Sequence, residues 1–359
     1  MPRIVFILSS LNDIHFRKRV EEFIKHGYDV EVYGFVRQEH GTTILPFQYT
    51  VLGTTRGMHY FSRIYLYIKC MISLAKKSKD TVFFYSSLDI ALFARMFIRA
   101  NYIYEVCDLT ELGIKNKLLR QILVAINKNC IRNSLTTILT SEGFAKFFSD
   151  IPANKYEIIP NKVSPDCPPK KATKRDTDSI IRIGFVGSIR YETIYRFIKA
   201  CCNRDKIEVH LYGIYSEGDE WSSQIKALVA DSKNIFYHGR FSNPQDLPDI
   251  YSRLDVLLCT YTPSSQNVIY AEPNKLYEAM YFNCPIIVSS GTFLAEKVNR
   301  LNIGFAIDAM HEEEINTFID SLTPQMIEAK RKNCQSIPDS ECIDNYDTFF
   351  DAISMKIKK

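Results

Sequence analysis

Short apolar runs alternate with amphipathic stretches along most of the 359-residue chain. The first run, at residues 4–8, predicts a buried parallel strand, and a polar loop at 9–13 follows it. A helical pattern then extends from about His15 to His26, with Gly27 as its C-cap, and a second apolar run begins at Tyr28. This order of strand, helix, glycine and strand predicts the βαβ unit of a doubly wound parallel sheet.

The same pattern recurs along both halves of the chain. Further strands are predicted at 28–33, 81–85, 101–106, 136–140, 156–160, 181–187, 208–212, 235–237, 256–259 and 286–288. The segment 165–179 is rich in proline and charge and lacks an apolar period, which is typical of a linker. A last helical pattern extends from about Glu341 to Ile357. We therefore predict an α/β chain with two Rossmann-like domains, 1–164 and 180–337, and a C-terminal helix within 338–359.

Composition mainly excludes other classes of protein. A hydrophobic content of 46% and an aromatic content of 13% allow two cores and argue against disorder. The net charge of +4 does not indicate nucleic-acid binding. The ten cysteines include no C-x-x-C pair, which argues against zinc ribbons and disulfides and for a reducing compartment. No stretch has the length of a signal peptide or a membrane-spanning helix, so we expect a cytoplasmic protein.

Polar residues crowd the start of a helical pattern at residues 271–280, AEPNKLYEAM. A helix N-terminus favours a phosphate, because its N–H groups are unpaired and carry partial positive charge. Lys275 adds a cation at this end, and Glu278, one turn later, can accept two hydroxyl hydrogen bonds from a ribose. These features predict a sugar-nucleotide site. The open alternative is an ordinary helix start with a solvated lysine and glutamate.

This segment resembles the proline-serine-lysine and glutamate-alanine-methionine helix of GT-B glycosyltransferases, particularly the family 4-like enzymes of bacterial capsule, lipopolysaccharide and exopolysaccharide synthesis. Other segments resemble the family in the expected order over nearly the whole chain. The resemblance implies two Rossmann-like domains facing a cleft, with the last helix crossing back to the first domain. It further implies that the second domain binds a nucleotide-sugar donor and the first an acceptor, with domain closure aligning them.

The resemblance assigns donor binding to residues of the second domain, which are Gly187, Ser188, Arg190, Arg240, Glu272, Asn274, Lys275, Leu276 and Glu278. Gly187 allows a phosphate to approach the backbone, and Arg190 suits a forked contact with a diphosphate. The chain departs from the family at Tyr195-Arg196, where a lysine is usual, and at Tyr270, where the first of two glutamates is usual.

Alternatives stay open for the other charged residues of this set. Arg190 is also compatible with an exposed position on a tight turn, and Arg240 with an ordinary surface cation. A sugar contact by Glu272 is in doubt because Tyr270 occupies the family's first glutamate position, and an acid near a helix start is often only a partner of the helix dipole.

In the first domain, the segment 105–111 resembles the family's acceptor-side segment. Asp108, as first choice, and Glu111 are the candidate carboxylates that orient the acceptor hydroxyl or accept its proton. Asp108 as the cap of the following helix is the alternative. Further acceptor-side contacts are expected from Asn12, His15, Glu142 and the basic run at residues 17–19, through Arg17 or Arg19. A basic solvated helix face is the alternative for Arg17, and a helix-start acid with no other role is the alternative for Glu142.

Two basic amphipathic stretches, Tyr60 to Lys79 and Ile114 to Asn133, are candidates for contact with anionic lipid at the inner face of a membrane. The alternative is that their apolar stripes pack on the sheet.

The expected function is that of a metal-independent, configuration-retaining glycosyltransferase that needs no cofactor. It moves a sugar from a nucleoside diphosphate to a hydroxyl of a glycan or lipid-linked glycan, and Arg190, Lys275 and a helix N-terminus stabilise the leaving diphosphate. A GT-B epimerase of sugar nucleotides and a non-catalytic subunit of a polysaccharide synthase remain as alternatives. A dinucleotide-dependent oxidoreductase is disfavoured, because no G-x-G-x-x-G follows either opening strand.

Overall fold

The structure is a computed structural model, and it describes residues 3–36, 45–55, 60–171, 180–263 and 266–357. Contacts divide the chain into two compact units. The first comprises the residues up to Pro160 together with those from Asn345 onward, and the second comprises Asn161–Asp344. The division at Pro160 lies just before the linker predicted at 165–179, of which 172–179 lies outside the described residues.

The described part of the first unit contains a seven-stranded parallel sheet with the order β3-β2-β1-β4-β5-β6-β7. The strands are β1 Arg3–Leu8, β2 Asp29–Val36, β3 Tyr49–Thr54, β4 Thr81–Tyr85, β5 Tyr102–Val106, β6 Thr136–Leu139 and β7 Tyr156–Ile158. The helices that alternate with them are α1 Ile14–Lys25, α2 Tyr60–Ala75, α3 Leu88–Phe97, α4 Lys117–Asn133 and α5 Glu142–Phe147. The strand order reverses between β1 and β4, and in such sheets ligands bind beyond the carboxyl ends of the strands at that point.

In the second unit, the described strands form a six-stranded parallel sheet with the order β10-β9-β8-β11-β12-β13. They are β8 Ile181–Ile189, β9 Ile207–Tyr215, β10 Ile235–Gly239, β11 Val256–Cys259, β12 Ile286–Ser289 and β13 Gly304–Ile307. The helices are α6 Glu192–Cys201, α7 Glu220–Asp231, α8 Leu247–Ser252, α9 Gln266–Tyr270, α10 Asn274–Tyr281, α11 Phe293–Leu301, α12 Glu312–Ser321, α13 Pro324–Gln335 and α14 Asp339–Cys342. The order reverses between β8 and β11.

The predicted fold class, two parallel α/β sheets, is confirmed, and so are the predicted strands apart from their ends. Two strands were missed. The edge strand β3 is exposed or half-buried along its length, so it carries no buried apolar run. The four-residue strand β13 begins at Gly304, which packs against the backbone of Ile286 and leaves no room for a Cβ.

Aromatic packing joins the first helix to the first sheet. Phe16, Val20 and Phe23 recur at helical spacing on the buried face of α1. The Phe23 ring meets Phe6 of β1 edge-on at 5.2 Å, and Phe6 stacks on Phe84 of β4 at 4.5 Å. This packing holds the N-terminal end of α1 beside the carboxyl end of the sheet.

The predicted helix from Glu341 to Ile357 is two helices in the structure. The short α14 ends at Cys342, and α15 begins at Asp347 and extends to Ile357. Between them, Ile343 pairs with Val163 as an isolated parallel bridge, and the Asp344 carboxylate accepts the Lys162 N–H at 3.1 Å. These bonds draw the backbone out of the helix, so α14 belongs to the second unit and α15 to the first.

The strand β8 is longer than predicted. It was expected to end at Gly187, but its register with β9 continues through Gly187 opposite Gly213 and Ser188 opposite Ile214. Gly213, in a φ +142° conformation, lies so close to the Gly187 carbonyl that a Cβ at Gly213 would be 1.7 Å from that oxygen. Two facing glycines therefore allow the ladder to continue where side chains would end it.

Candidate functional site

Helix α10 begins directly after Pro273, whose side chain provides no cap for the helix. Every residue from Lys275 to Tyr281 is buried, so the helix is inserted into the second unit and not laid over its surface. Lys275 is 9% exposed and Glu278 is 3% exposed. The alternative of a solvated lysine and glutamate at this helix start is therefore wrong.

Glu278 is saturated with hydrogen-bond donors. Its Oε1 accepts from Asn274 Nδ2 at 2.8 Å and from Lys275 Nζ at 3.1 Å. Its Oε2 accepts from the Tyr251 hydroxyl at 2.6 Å and from Lys275 Nζ at 3.0 Å. A carboxylate offers about four lone-pair positions, and these four contacts use all of them. A ribose diol can bond to Glu278 only by displacing one of these donors.

Lys275 also connects α10 to the glycine end of β8. Its Cε lies 3.7 Å from the position that a Cβ on Gly187 would occupy, and Gly187 has φ +148°. The two segments that the sequence assigned to phosphate binding are therefore adjacent in the structure. Because Gly187 has no side chain, the backbone beside the Lys275 side chain is open to an anion.

Glu272 is buried, and its exposed fraction is only 6%. Its carboxylate accepts hydrogen bonds from Lys297 Nζ and from the Tyr277 hydroxyl. This network fixes the segment that leads into α10. It involves Lys297 of α11, which the sequence analysis did not identify. The other expected donor-side residue of the helix, Leu276, is fully buried in the core, so only its backbone is placed near the helix start.

The remaining cations of the predicted donor set lie at the surface. Arg190 follows the end of β8, donates from Nη2 to the Tyr191 hydroxyl at 3.1 Å and stacks over that ring. Tyr191 in turn meets Tyr261, in the loop after β11, edge-on at 5.0 Å. Ser188 lies at the end of β8 within 3.2 Å of the Ser216 hydroxyl. Arg240 is exposed after β10, and the alternative of a surface cation stays open for it.

The first unit has a pocket of about 560 Å³ at the carboxyl ends of β1, β4 and β5. The residues that line it include Ser9, Ser86 and Cys107, each of which is the first residue after one of these strands. Helices α2, α3 and α4 also contribute to the lining. The Ser9 N–H donates to the Ser86 hydroxyl at 2.8 Å, which ties two of the strand ends together. Both Asp108 and Glu111, the predicted acceptor carboxylates, line this pocket.

Glu105, the last polar residue of β5, is fully buried and also lines the pocket. Its Oε1 accepts from His15 Nε2 at 2.7 Å and from Arg19 Nε at 2.9 Å. Burial alone would raise the pKa of Glu105, but the charges and hydrogen bonds of Arg19 and His15 outweigh it and lower the pKa to about 2. Glu105 is therefore ionised and holds His15 in place.

Glu111 is buried as well, but it has weaker partners. Its Oε1 accepts from Asn127 Nδ2 at 2.8 Å, and the Asn127 amide oxygen accepts from the Tyr104 hydroxyl at 3.0 Å. Burial raises the pKa of Glu111, against the lowering effects of the Asn127 hydrogen bond and of a hydrogen bond from the Glu111 backbone N–H. Asp108 is exposed, and Leu109 occupies the N-cap position of the short 3₁₀ turn that follows.

The other predicted acceptor-side residues are more dispersed. Arg17 is partly exposed and pairs with Glu21 one turn along α1 at 2.9 Å. Asn12 is half-buried in the loop before that helix. Glu142 lies in the first turn of α5, whose N-cap is Ser141. Of the two arginines in this basic run, it is Arg19 that turns inward.

Three residues of the first unit have ligand atoms within 4.8 Å of one another: His15, Glu105 and Cys107. This is the group in the described residues whose spacing suits a metal. Arg19 already places a guanidinium on Glu105, and burial together with the charge of Glu105 raises the pKa of Cys107 well above its usual value. A cation and a protonated thiol are poor neighbours for a metal ion, so these residues fit an ion-paired cluster better.

The sequence carried partial signals for the residues that it missed. Glu105 is a charged residue inside the apolar strand 102–106, and such a residue is expected to be paired. Gly213 interrupts an apolar run, which is typical of close backbone approach. Lys297 and Asn127 lie in ordinary amphipathic helices, and nothing in their local sequence distinguishes them.

Helices α2 and α4 expose apolar residues. On α4 these are Leu118, Leu119 and Ile122, which are 68%, 46% and 48% exposed. On α2 they are Phe61 and Tyr65, which are 81% and 69% exposed. On α2 an apolar stripe of Tyr67, Cys70, Met71 and Leu74 is nevertheless buried, as the packing alternative expects, whereas the apolar residues named on α4 are exposed. No helix in the described part of the chain combines the length and hydropathy needed to span a bilayer.

Comparison with known proteins agrees with this architecture. Residues 181–323, within the second unit, match the family model described as glycosyl transferases group 1. Sucrose-phosphate synthase from Thermosynechococcus elongatus superposes with a TM-score of 0.72 at 13% identity, covering 99% of this chain and 97% of that one. Searching the curated proteins gave no significant match.

Two further solved structures are similar over nearly the whole chain. Anabaena HepE in complex with UDP-glucose gives a TM-score of 0.65 at 13% identity, with 100% of this chain and 98% of that one covered. WaaG, a glycosyltransferase involved in lipopolysaccharide biosynthesis, gives a TM-score of 0.65 at 14% identity, with 94% of this chain and 97% of that one covered.

These similarities define the class first: the chain has the GT-B fold of glycosyltransferases. The match of residues 181–323 to the model of the group 1 glycosyl transferases agrees with the resemblance drawn from the sequence motifs.

Proposed function

We propose that this protein transfers a sugar from a nucleoside diphosphate to a hydroxyl of a glycan or a lipid-linked glycan. The observation that supports this most directly is the position of Lys275 beside Gly187, which brings a buried cation, a helix N-terminus and an open backbone together at the strand reversal of the second sheet. HepE, of the same fold, has been solved with UDP-glucose.

The geometry suggests how the donor is received. Lys275 holds Glu278 in the structure, and a diphosphate carries more negative charge than a single carboxylate. We infer that Lys275 leaves Glu278 for the diphosphate. This movement frees lone pairs on Glu278 for the ribose hydroxyls, so one exchange completes both contacts.

The transfer step needs stabilisation of the leaving diphosphate. Lys275, the N-terminus of α10 and the exposed Arg190 supply positive charge, and we propose that they replace a metal ion in this role. In the first unit, we assign proton acceptance from the attacking hydroxyl to Asp108, which is exposed at the pocket. We further propose retention of the anomeric configuration, which NMR of the product tests.

The first experiment is a thermal-shift panel with UDP, GDP, CDP, ADP and their common sugars. We expect one nucleotide to stabilise the wild type and to lose most of that effect in Glu278→Ala. Glu217→Ala, an exposed glutamate of the same unit, is the matched control. If no nucleotide stabilises the wild type, the proposal is wrong and a non-catalytic role is favoured.

Turnover assays separate the enzymatic alternatives. Transfer of radiolabelled sugar to an acceptor fraction, with undiminished rate in EDTA, supports a metal-independent transferase. Conversion of the donor sugar at C2 without any acceptor would instead show an epimerase.

We also propose that the exposed face of α4, defined as Leu118, Leu119 and Ile122, rests on anionic lipid. Lys115, Lys117 and Arg120 are close to these residues in the sequence, and their charge would complement a negatively charged surface. Flotation with phosphatidylglycerol vesicles should carry the protein upward, and with phosphatidylcholine vesicles it should not. Ile122→Ser with Leu118→Ser should abolish flotation, while Met355→Ser, which removes a similarly exposed apolar residue of the same unit, should not.

A further inference from the structure

Strands β9 and β10, at the edge of the second sheet, carry two histidines that face each other. The register of β10 on β9 shifts between Tyr237 and Gly239, so His238 is an extra residue in the ladder. Such a bulge re-aims a side chain, and it is rare in parallel strands. Gly239, with φ +80°, gives the backbone the freedom to bend here. The bulge places the His238 ring against His210 of β9.

One nitrogen of each ring points into the gap between the two histidines. Nδ1 of His210 lies 3.0 Å from Nε2 of His238, and the ring planes differ by only 14°. The two nitrogens share one hydrogen at this distance. A metal ion that enters the gap takes the place of this hydrogen.

Glu208 sets which nitrogen of His210 carries a hydrogen. Its Oε2 lies 3.2 Å from His210 Nε2, and because a carboxylate only accepts, Nε2 is the donor. An imidazole is largely neutral near pH 7.5, so Nδ1 of His210 keeps its lone pair for a ligand. Histidines that bind metals usually donate their other N–H to a carboxylate in this way, which fixes the ring and raises its basicity.

Aromatic rings hold both imidazoles in place. Phe236 stacks on His210 with the ring centroids 5.2 Å apart, and Tyr212 stacks on His238 at 4.3 Å. The site is nevertheless open to solvent, because His238 is exposed and Phe236 is 39% exposed. Water therefore has access to complete the coordination of an ion that two imidazoles bind.

The separation of the two nitrogens distinguishes between ions. Neighbouring nitrogens of an octahedral or square-planar ion, each about 2.1 Å from it, are about 3.0 Å apart, whereas those of a tetrahedral ion are about 3.4 Å apart. Imidazole suits Ni²⁺, Cu²⁺ and Zn²⁺, and Mg²⁺ and Ca²⁺ prefer oxygen ligands. The 3.0 Å separation therefore favours Ni²⁺ and Cu²⁺ over Zn²⁺.

Two arginines lie close to this pair. Arg182 Nε is 3.4 Å from Glu208 Oε2, so the arginine balances the charge of Glu208 and keeps it as the orienting partner. Arg253, at the C-cap of α8, acts on His238 through its positive charge. This charge opposes a bound cation, and we expect the affinity to be micromolar. In the group around Glu105, by contrast, a guanidinium is bonded to a candidate ligand itself.

We propose that Nδ1 of His210 and Nε2 of His238 bind a transition-metal ion of the Ni²⁺ and Cu²⁺ class, with Glu208 orienting His210. On binding, His238 changes to the tautomer that carries its hydrogen on Nδ1. The site lies three residues along β9 from Gly213, or about 10 Å, so it is separate from the donor site at Gly187. The ion joins the edge strand β10 to β9, and the inference does not depend on the proposed function.

Calorimetric titration of the untagged full chain with NiCl₂ at pH 7.5 tests the site. We expect one Ni²⁺ per chain and weaker binding of Zn²⁺. His210→Gln and His238→Gln should each abolish binding, and Glu208→Gln should weaken it by about 10-fold. His311→Gln, which changes an exposed histidine of the same unit, should leave it unchanged. No binding by the wild type, or binding that survives both ligand variants, would overturn the proposal.

Further measurements locate the ion and control for misfolding. Arg253→Gln should tighten binding, because it removes an opposing charge near His238. In wild-type protein, Ni²⁺ below one equivalent should broaden the assigned NMR ring signals of His210 and His238 before those of other histidines. Binding that is lost in His15→Gln and kept in His238→Gln would place the ion beside Glu105 and contradict the assignment.

Thermal unfolding measures the link between the two strands. An ion that binds only the folded state stabilises it by mass action, so Ni²⁺ should raise the melting temperature of the wild type. It should not raise that of His238→Gln. An equal rise in both proteins would show that the ion binds elsewhere.

Discussion

The buried carboxylates of the two units differ in how completely they are paired. In the second unit, Glu278 has four hydrogen bonds and Glu272 is bound by Lys297 and Tyr277. In the described part of the first unit, Glu105 and Glu111 each have one buried oxygen without a hydrogen-bond partner. A ligand of the second unit must exchange with existing bonds, whereas a ligand of the first unit adds bonds to atoms that lack them.

This difference has energetic consequences. Exchange at Glu278 makes donor binding dependent on the incoming negative charge, because only a strong anion competes for Lys275. At Glu111, a neutral ligand that brings a hydrogen-bond donor to the unpaired oxygen gains binding free energy.

Lys275→Ala should reduce turnover with the nucleotide sugar by about 100-fold or more, because it removes the buried cation beside Gly187 from the leaving group. Steady-state rates with a radiolabelled donor measure this. Lys226→Ala, an exposed lysine of the same unit, should retain normal turnover. Near-normal turnover of Lys275→Ala would remove Lys275 from the proposed mechanism.

Gly213→Ala should destabilise the second unit by about 2–4 kcal/mol more than Gly218→Ala. Both glycines have positive φ, but only at Gly213 would a Cβ collide with the Gly187 carbonyl, because nothing lies within 4 Å of a Cβ at Gly218. Urea unfolding of both variants measures the difference. Equal stabilities would show that the ladder tolerates a side chain beside the donor site.

Glu105→Gln should destabilise the first unit by roughly 3 kcal/mol near neutral pH. The pKa of Glu105 is lowered from 4.5 to about 2, so its contribution is present above pH 4.5 and is lost as pH falls towards 2. Unfolding measured from pH 6 to pH 2 should therefore show a shallower decline in the variant than in the wild type. Parallel curves would contradict the ion pair with Arg19.

Glu111→Gln should have the smallest effect on stability and the opposite sign. Burial raises the pKa of Glu111, so its contribution to stability is present below its unfolded pKa and is lost as pH rises through the folded value. Glutamine keeps the acceptor for Asn127 without the buried charge. The free energy of unfolding at pH 7 should rise slightly, and a clear fall would mean that the charge has a partner.

Much of the fold follows from the sequence because buried parallel strands are continuous apolar runs, as at 4–8 and 256–259. The half-exposed edge strand β3 has no such run, and the break before α15 depends on backbone hydrogen bonds of Val163 with Cys342 and Asp344, which are far from it in the sequence. Local sequence patterns predict neither the edge strand nor the break before α15.

The candidate sites were predictable to the extent that their residues share one segment. Lys275 and Glu278 lie on one helix, and their spacing in the sequence was sufficient to predict that they are neighbours. The position of Lys275 next to Gly187 was expected only from the family resemblance. Arg19 pairs with Glu105, which is 86 positions away, and Asn127 pairs with Glu111 of the 3₁₀ turn. Both pairings depend on tertiary packing.

The return of α15 to the first unit has a consequence for synthesis on the ribosome. Phe349 and Phe350 of this helix pack against Phe23 and, with Tyr346 and Ile353, complete a core whose remaining buried members all lie at or before Ile159. The first unit emerges first, yet its aromatic core closes last, after the whole second unit has been made. During translation the nascent first unit therefore exposes the ring of Phe23, and we expect chaperones that bind apolar segments to associate with it until release.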